Sequence, residues 1–220
     1  MKYRSVFDII GPVMIGPSSS HTAGAARIGL VARQLFRAEP TWVSFHLYGS
    51  FAKTYKGHGT DVALTGGILG FDTSDQRIIK ALDIAKIQGL NVSFHEEEEE
   101  MEHPNTVKIR LGDGVKEMEL VGISIGGGKV EVTELNGFPL HLSGNHPAIL
   151  VVHNDRFGTI ASVSSHLAKY EVNIGRMEVS RKEVGQEALM VIEMDQNIGE
   201  DILKEIEALE HVDKVTKINE

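Results

Sequence analysis

The stretch Ala148-Ile149-Leu150-Val151-Val152-His153-Asn154-Asp155-Arg156-Phe157-Gly158 decides how the C-terminal part of the chain folds. An unbroken apolar run from Ala148 to Val152 predicts a strand, and the polar turn after it, ending in glycine, predicts the start of a helix. Ile160, Val163 and Leu167 then recur at helical spacing. Further on, Glu171 to Ser180 and Ala188 to Met194 predict strands, Ile202, Leu203, Ile206 and Leu209 a helix, and Val212 to Ile218 a closing strand. The order βαββαβ predicts a ferredoxin-like sandwich, a four-stranded antiparallel sheet covered on one face by two helices.

Upstream, Ser143-Gly144-Asn145-His146-Pro147 is a polar turn cluster that sets the expected boundary between a first domain, residues 1–143, and a second, residues 147–220. In the first, Ile28, Val31, Ala32, Leu35 and Phe36 mark one face of a helix from Thr22 to Phe36. Val43, Phe45 and Leu47 alternate with Ser44, His46 and Tyr48 as a half-buried strand does, and a loop rich in Gly and Lys is expected after Gly49. Thr73 and Gln76 have capping-box spacing before Ile78, Ile79, Leu82 and Ala85, with Gly89 as the stop. Asn91 to Phe94, Val107 to Leu111, Lys116 to Ile125 and Lys129 to Leu135 predict strands. The six glutamates between His95 and His103 repel one another and predict an exposed loop; they show no fixed ligand spacing, so no metal is assigned there. The fold class is α+β, a mixed α/β first domain followed by the ferredoxin-like module.

Composition narrows the function. With 31 acidic against 22 basic residues the 220-residue chain carries a formal charge of −9, which repels phosphate backbones and argues against nucleic acid. Met1 to Asp8 lacks the apolar core of a signal peptide, and no apolar run approaches the ~18 residues of a membrane span. A cytoplasmic protein with no membrane partner is expected. There is no cysteine, which excludes disulfides, thiolate zinc sites, a cysteine nucleophile and an iron–sulfur cluster held by this chain alone.

Two segments concentrate chemistry. Gly16-Pro17-Ser18-Ser19-Ser20-His21-Thr22-Ala23-Gly24 precedes the first helix, where hydroxyls and backbone N–H groups can converge on an anion. Tyr48-Gly49-Ser50 is followed by Lys56-Gly57-His58-Gly59-Thr60-Asp61, in which Lys56 can attract a carboxylate and His58 can act as a general base, oriented by Thr60 or Asp61. The same residues also fit a turn histidine, with Thr60 capping a following helix and the serines serving as cap and loop.

Pro147 to Ile218 resembles an ACT domain, through the Asp-x-x-Gly turn at Asp155-Arg156-Phe157-Gly158 and through Asn173-Ile174-Gly175. That resemblance implies effector binding at Asp155, Gly158 and Asn173; simple turn roles for these residues, or homodimer contacts through the module, fit equally.

Taken in order, Ser18-Ser19-Ser20-His21-Thr22, Tyr48-Gly49-Ser50, Lys56 to Asp61 and Ser124-Ile125-Gly126-Gly127-Gly128 resemble the N-terminal domain of iron–sulfur-dependent bacterial L-serine dehydratases. With the ACT-like tail, the resemblance covers essentially the whole chain and matches the beta subunit of the two-subunit type. It implies a lyase of amino-acid catabolism and gluconeogenesis that forms pyruvate and ammonia from L-serine. A 4Fe–4S cluster polarises the substrate hydroxyl in such enzymes, and the missing thiolates imply that a cysteine-containing alpha subunit holds it. The resemblance further implies that His58 removes the Cα proton and that Ser18, Ser19, Ser20, His21, Thr22 and Lys56 bind substrate. Its first domain is related to a substrate-binding domain of some 3-phosphoglycerate dehydrogenases. The alternatives are a non-catalytic amino-acid-sensing subunit and, last, a phosphate cradle at the serines, which lacks a Gly-Lys-Ser/Thr companion.

Overall fold

The computed structural model describes residues 13–144 and 146–218, so Met1 to Asp8, and Asn145 of the turn cluster, lie outside the described residues. Two compact units divide between Asn136 and Gly137.

In the first unit a wide helical turn, Ser19–Gly24, leads into α1 (Ala25–Phe36). Its face of Ile28, Val31, Ala32, Leu35 and Phe36 is buried as the spacing requires. Strand β1 (Trp42–Leu47) alternates half-buried and buried residues and lies second from the edge of a sheet whose order begins β2 (Asn91–Glu96), β1, β3 (Thr106–Gly112), β4 (Glu117–Gly126), β5 (Lys129–Leu135). β1 pairs parallel with β2, Val43 opposite Val92, and the remaining pairs are antiparallel.

The expected Gly/Lys loop is two helices, α2 (Gly49–Thr54) and α3 (Thr60–Ile68). A helix after His58 is expected only in the reading that makes Thr60 a cap; α3 gives no period of its own because it is buried nearly all round: Thr60, Ala63, Leu64, Thr65, Gly66, Gly67 and Ile68 are all covered, leaving no polar stripe. The next helix, a tight turn Gln76–Lys80 running into α4 (Ala81–Ile87), is capped by Asp75 and not by Thr73. The Asp75 carboxylate accepts the Arg77 N–H at 2.9 Å, whereas the Thr73 hydroxyl donates to the Val13 carbonyl at 2.9 Å. His95 and Glu96 belong to β2, and the exposed glutamate loop begins after them.

The second unit opens with a strand that the sequence reading passed over, β6 (Phe138–Leu142), in which Phe138, Leu140 and Leu142 are buried. It falls in this unit, where the Ser180 hydroxyl donates to the Pro139 carbonyl and the His141 N–H to Glu178. Then follow β7 (Ala148–Asn154), α5 (Thr159–Lys169), β8 (Ile174–Arg181), β9 (Glu187–Met194), α6 (Glu200–Glu207) and β10 (Val212–Ile218). The antiparallel sheet is ordered β10-β7-β9-β8, as the predicted sandwich requires. Ile149, Val151, Met190, Ile192 and Val215 of the sheet and Val163, Leu167, Leu203 and Ile206 of the helices share one core. β8 starts at Ile174 and not Glu171, whose positive φ of 55° breaks the extended run. Among the described residues no helix is long and apolar enough to cross a membrane.

Candidate active site

Ser18 is extended and begins the wide turn, its hydroxyl accepting the His21 N–H at 3.1 Å. Its carbonyl accepts from both Thr22 and Ala23, at 2.9 and 3.2 Å, the loosened spacing of π-type turns, which recur at functional sites. The turn carries the His21 ring to α2, where Nε2 is 2.9 Å from Ser50 Oγ and the ring packs edge-on against Phe51, 5.4 Å between centroids. The other side of His21 meets His58, centroids 4.9 Å apart. The buried Thr22 hydroxyl donates to the His58 carbonyl at 3.0 Å. Ser18, His21, Thr22, Ser50, Phe51 and His58, drawn from three segments apart in sequence, thus converge. Gly59, with φ 68°, turns the His58 segment into α3, a conformation that disfavours any residue with a Cβ.

Burial first, and the neighbouring His58 second, push the His21 imidazole below its ordinary value, which favours the neutral ring. The expected orienting groups for His58 are placed otherwise. The Thr60 hydroxyl is buried without a partner, and the Asp61 carboxylate accepts the Val62 N–H at 2.8 Å. His58 is instead set by packing on His21 and by the Thr22 tether, and its Nδ1 is buried and unpartnered. Ser19 and Ser20 are half-buried on the turn; Lys56 is exposed, its ammonium 5.4 Å from the Tyr55 ring centroid. Ser124, fully buried with an unpartnered hydroxyl, lies against Gly24, where a side chain would collide with it. Ser50, Phe51 and Ser124 were not assigned roles from sequence; Ser50 and Ser124 were signalled only as members of the motifs Tyr48-Gly49-Ser50 and Ser124 to Gly128, and Phe51 by nothing.

A family model described as serine dehydratase beta chain matches residues 5–134, and one described as ACT domain matches residues 148–211. Over 218 residues the chain is 65% identical to a Bacillus subtilis protein described as "Probable L-serine dehydratase, beta chain", covering 99% of each. The chain belongs to the serine dehydratase beta chain family. The L-serine dehydratase beta chain of Peptoniphilus asaccharolyticus is 39% identical over 208 residues, 94% of each. D-3-phosphoglycerate dehydrogenase of Methanocaldococcus jannaschii is 30% identical over 142 residues, 64% of this chain and 27% of that one.

As a serine dehydratase beta chain it offers no thiolate, and thiolates are what hold iron–sulfur clusters, so its residues do not fit one. Among the described residues no group of three or more His, Asp or Glu side chains is placed to hold a metal ion. The glutamate run lines a cleft of about 690 Å³ with Gly49, Lys53 and Pro104; within it Glu97 is half-buried and lies 2.6 Å from His46 Nδ1.

In the ACT domain Gly158, at φ 93°, caps α5. The Asp155 carboxylate accepts from the Arg181 guanidinium at 2.9 Å and the Gly185 N–H at 3.0 Å; the Gly185 bond first and the Arg181 bond second hold it below the usual carboxylate range. Asn173 donates to Asp195 at 2.5 Å.

Proposed function

We propose that this chain supplies the proton-abstracting half of a cytoplasmic L-serine dehydratase, inactive alone and completed by a cysteine-containing alpha subunit that holds a 4Fe–4S cluster. The observation that carries this is the convergence of His21, Ser50 and His58, three separate motifs brought within one hydrogen bond and one ring contact. His58 takes the Cα proton of L-serine on an imidazole nitrogen while the Cβ hydroxyl leaves with its bonding pair as hydroxide, and proton and hydroxide together make up the one water lost. The aminoacrylate so formed tautomerises and takes up water to give pyruvate and ammonia.

Ser18, Ser19, Ser20 and His21 line the substrate side of the wide turn, and Thr22 tethers that turn to the His58 backbone. Lys56, exposed on the segment between α2 and α3, draws the substrate carboxylate. The ACT domain, residues 147–220, pairs two copies of the chain. Asp155 and Asn173 are committed to Arg181, Gly185 and Asp195, which favours a pairing role over an effector role for the loops that end at Gly158.

The test is anaerobic mixing. Pyruvate is expected from L-serine only when this chain is combined with the cysteine-containing alpha subunit. L-serine binding without turnover in the mixture would point to an amino-acid-sensing subunit instead.

A further inference from the structure

Ser50 ends a chain of three side chains. The Ser18 hydroxyl oxygen accepts the His21 backbone N–H at 3.1 Å, so its own proton is free, and it faces His21 Nδ1 at 3.4 Å. A proton offered there makes Nδ1 the acceptor and places the ring proton on Nε2. Nε2 lies 2.9 Å from Ser50 Oγ, so the serine oxygen accepts and its hydroxyl proton is directed away from the imidazole. Ser50 is held in this position by its backbone, whose N–H donates to the Pro104 carbonyl at 2.7 Å and whose carbonyl accepts the Thr54 hydroxyl at 2.7 Å. The side chain is half-buried, and the ring it leans on also packs against His58.

We infer that Ser50 is a substrate-binding residue whose hydroxyl, oriented by the Ser18–His21 relay, donates to the carboxylate of the amino acid that His58 deprotonates. This rests on the active site proposed above. A hydroxyl whose oxygen already accepts from an imidazole N–H is polarised toward donation, and a carboxylate is the strongest acceptor an amino-acid substrate offers. His21 is a positioning residue here. The relay needs its ring neutral, with one nitrogen free to accept, and burial beside His58 favours that form.

Two measurements test the inference. In the full chain carrying ¹⁵N-labelled histidine, the His21 ring should be the Nε2–H tautomer, and in Ser50→Ala that preference should weaken; an Nδ1–H ring in the unsubstituted chain overturns the relay whether or not the variant folds. In the complex with the alpha subunit, Ser50→Ala should raise KM for L-serine about tenfold with a smaller change in kcat. Ser50→Thr, which keeps the hydroxyl, should restore KM. If His58→Ala abolishes turnover while Ser50→Ala keeps the original KM, this inference alone falls. If turnover survives His58→Ala, the proposed site falls and this inference with it.

Discussion

His21 and His58 meet edge to face, ring centroids 4.9 Å apart and planes at 81°, so the His58 neighbour raises the cost of charging His21. Burial and this neighbour lower the His21 pKa in the folded chain, whereas the unfolded chain keeps the ordinary value near 6.5. As pH falls the unfolded state therefore binds the proton first. The stability this ring contributes is fully present above the ordinary value and is lost as pH falls from there through the lowered folded value. Chemical denaturation of the full chain across that window should show a fall in stability that is shallower in His21→Gln. Equal slopes would contradict the assignment.

Gly67 of α3 lies where that helix crosses α1. A Cβ at this position would collide with the Ala26 carbonyl and stand 2.6 Å from the Leu30 nitrogen, both backbone atoms that cannot swing aside. Gly67→Ala should lower the stability of the first unit by about 1–3 kcal/mol, read as a shift in its denaturation midpoint. An unchanged midpoint would mean that the helices are not packed this closely.

Asp155 joins the turn after β7 to Arg181 and to the Gly185 amide beyond β8. Asp155→Ala should speed hydrogen exchange at the Gly185 amide while exchange in the shared core of β7 and β9 stays slow. Exchange at Gly185 equal to that of the unsubstituted chain would remove the carboxylate from this structural role.

The second unit was legible because its signals are local. β7 and β9 are mainly apolar runs such as Ala148 to Val152, and α5 shows Val163 and Leu167 one turn apart on a polar background. In the first unit α3 has no period because it is buried nearly all round; in the second, β6 was hidden by Pro139, which sits at an exposed strand position where its missing N–H does little harm. The site was legible as residue types. His58, His21 and the serines are singled out by chemistry and order, but the contact of His21 with Ser50 depends on a wide turn that no sequence period announces. The same holds for Asp61: its place three residues after His58 suggested an orienting carboxylate, and the start of a helix turned it toward the Val62 N–H instead.

The central claim is that His58 takes the substrate proton. It is tested most directly by comparing pyruvate formation from L-serine in the complex reconstituted with this chain and with His58→Ala, while subunit association is measured in parallel. Loss of a general base should lower kcat by about 10²–10⁴-fold with association intact. Near-normal turnover in the variant complex would contradict the claim.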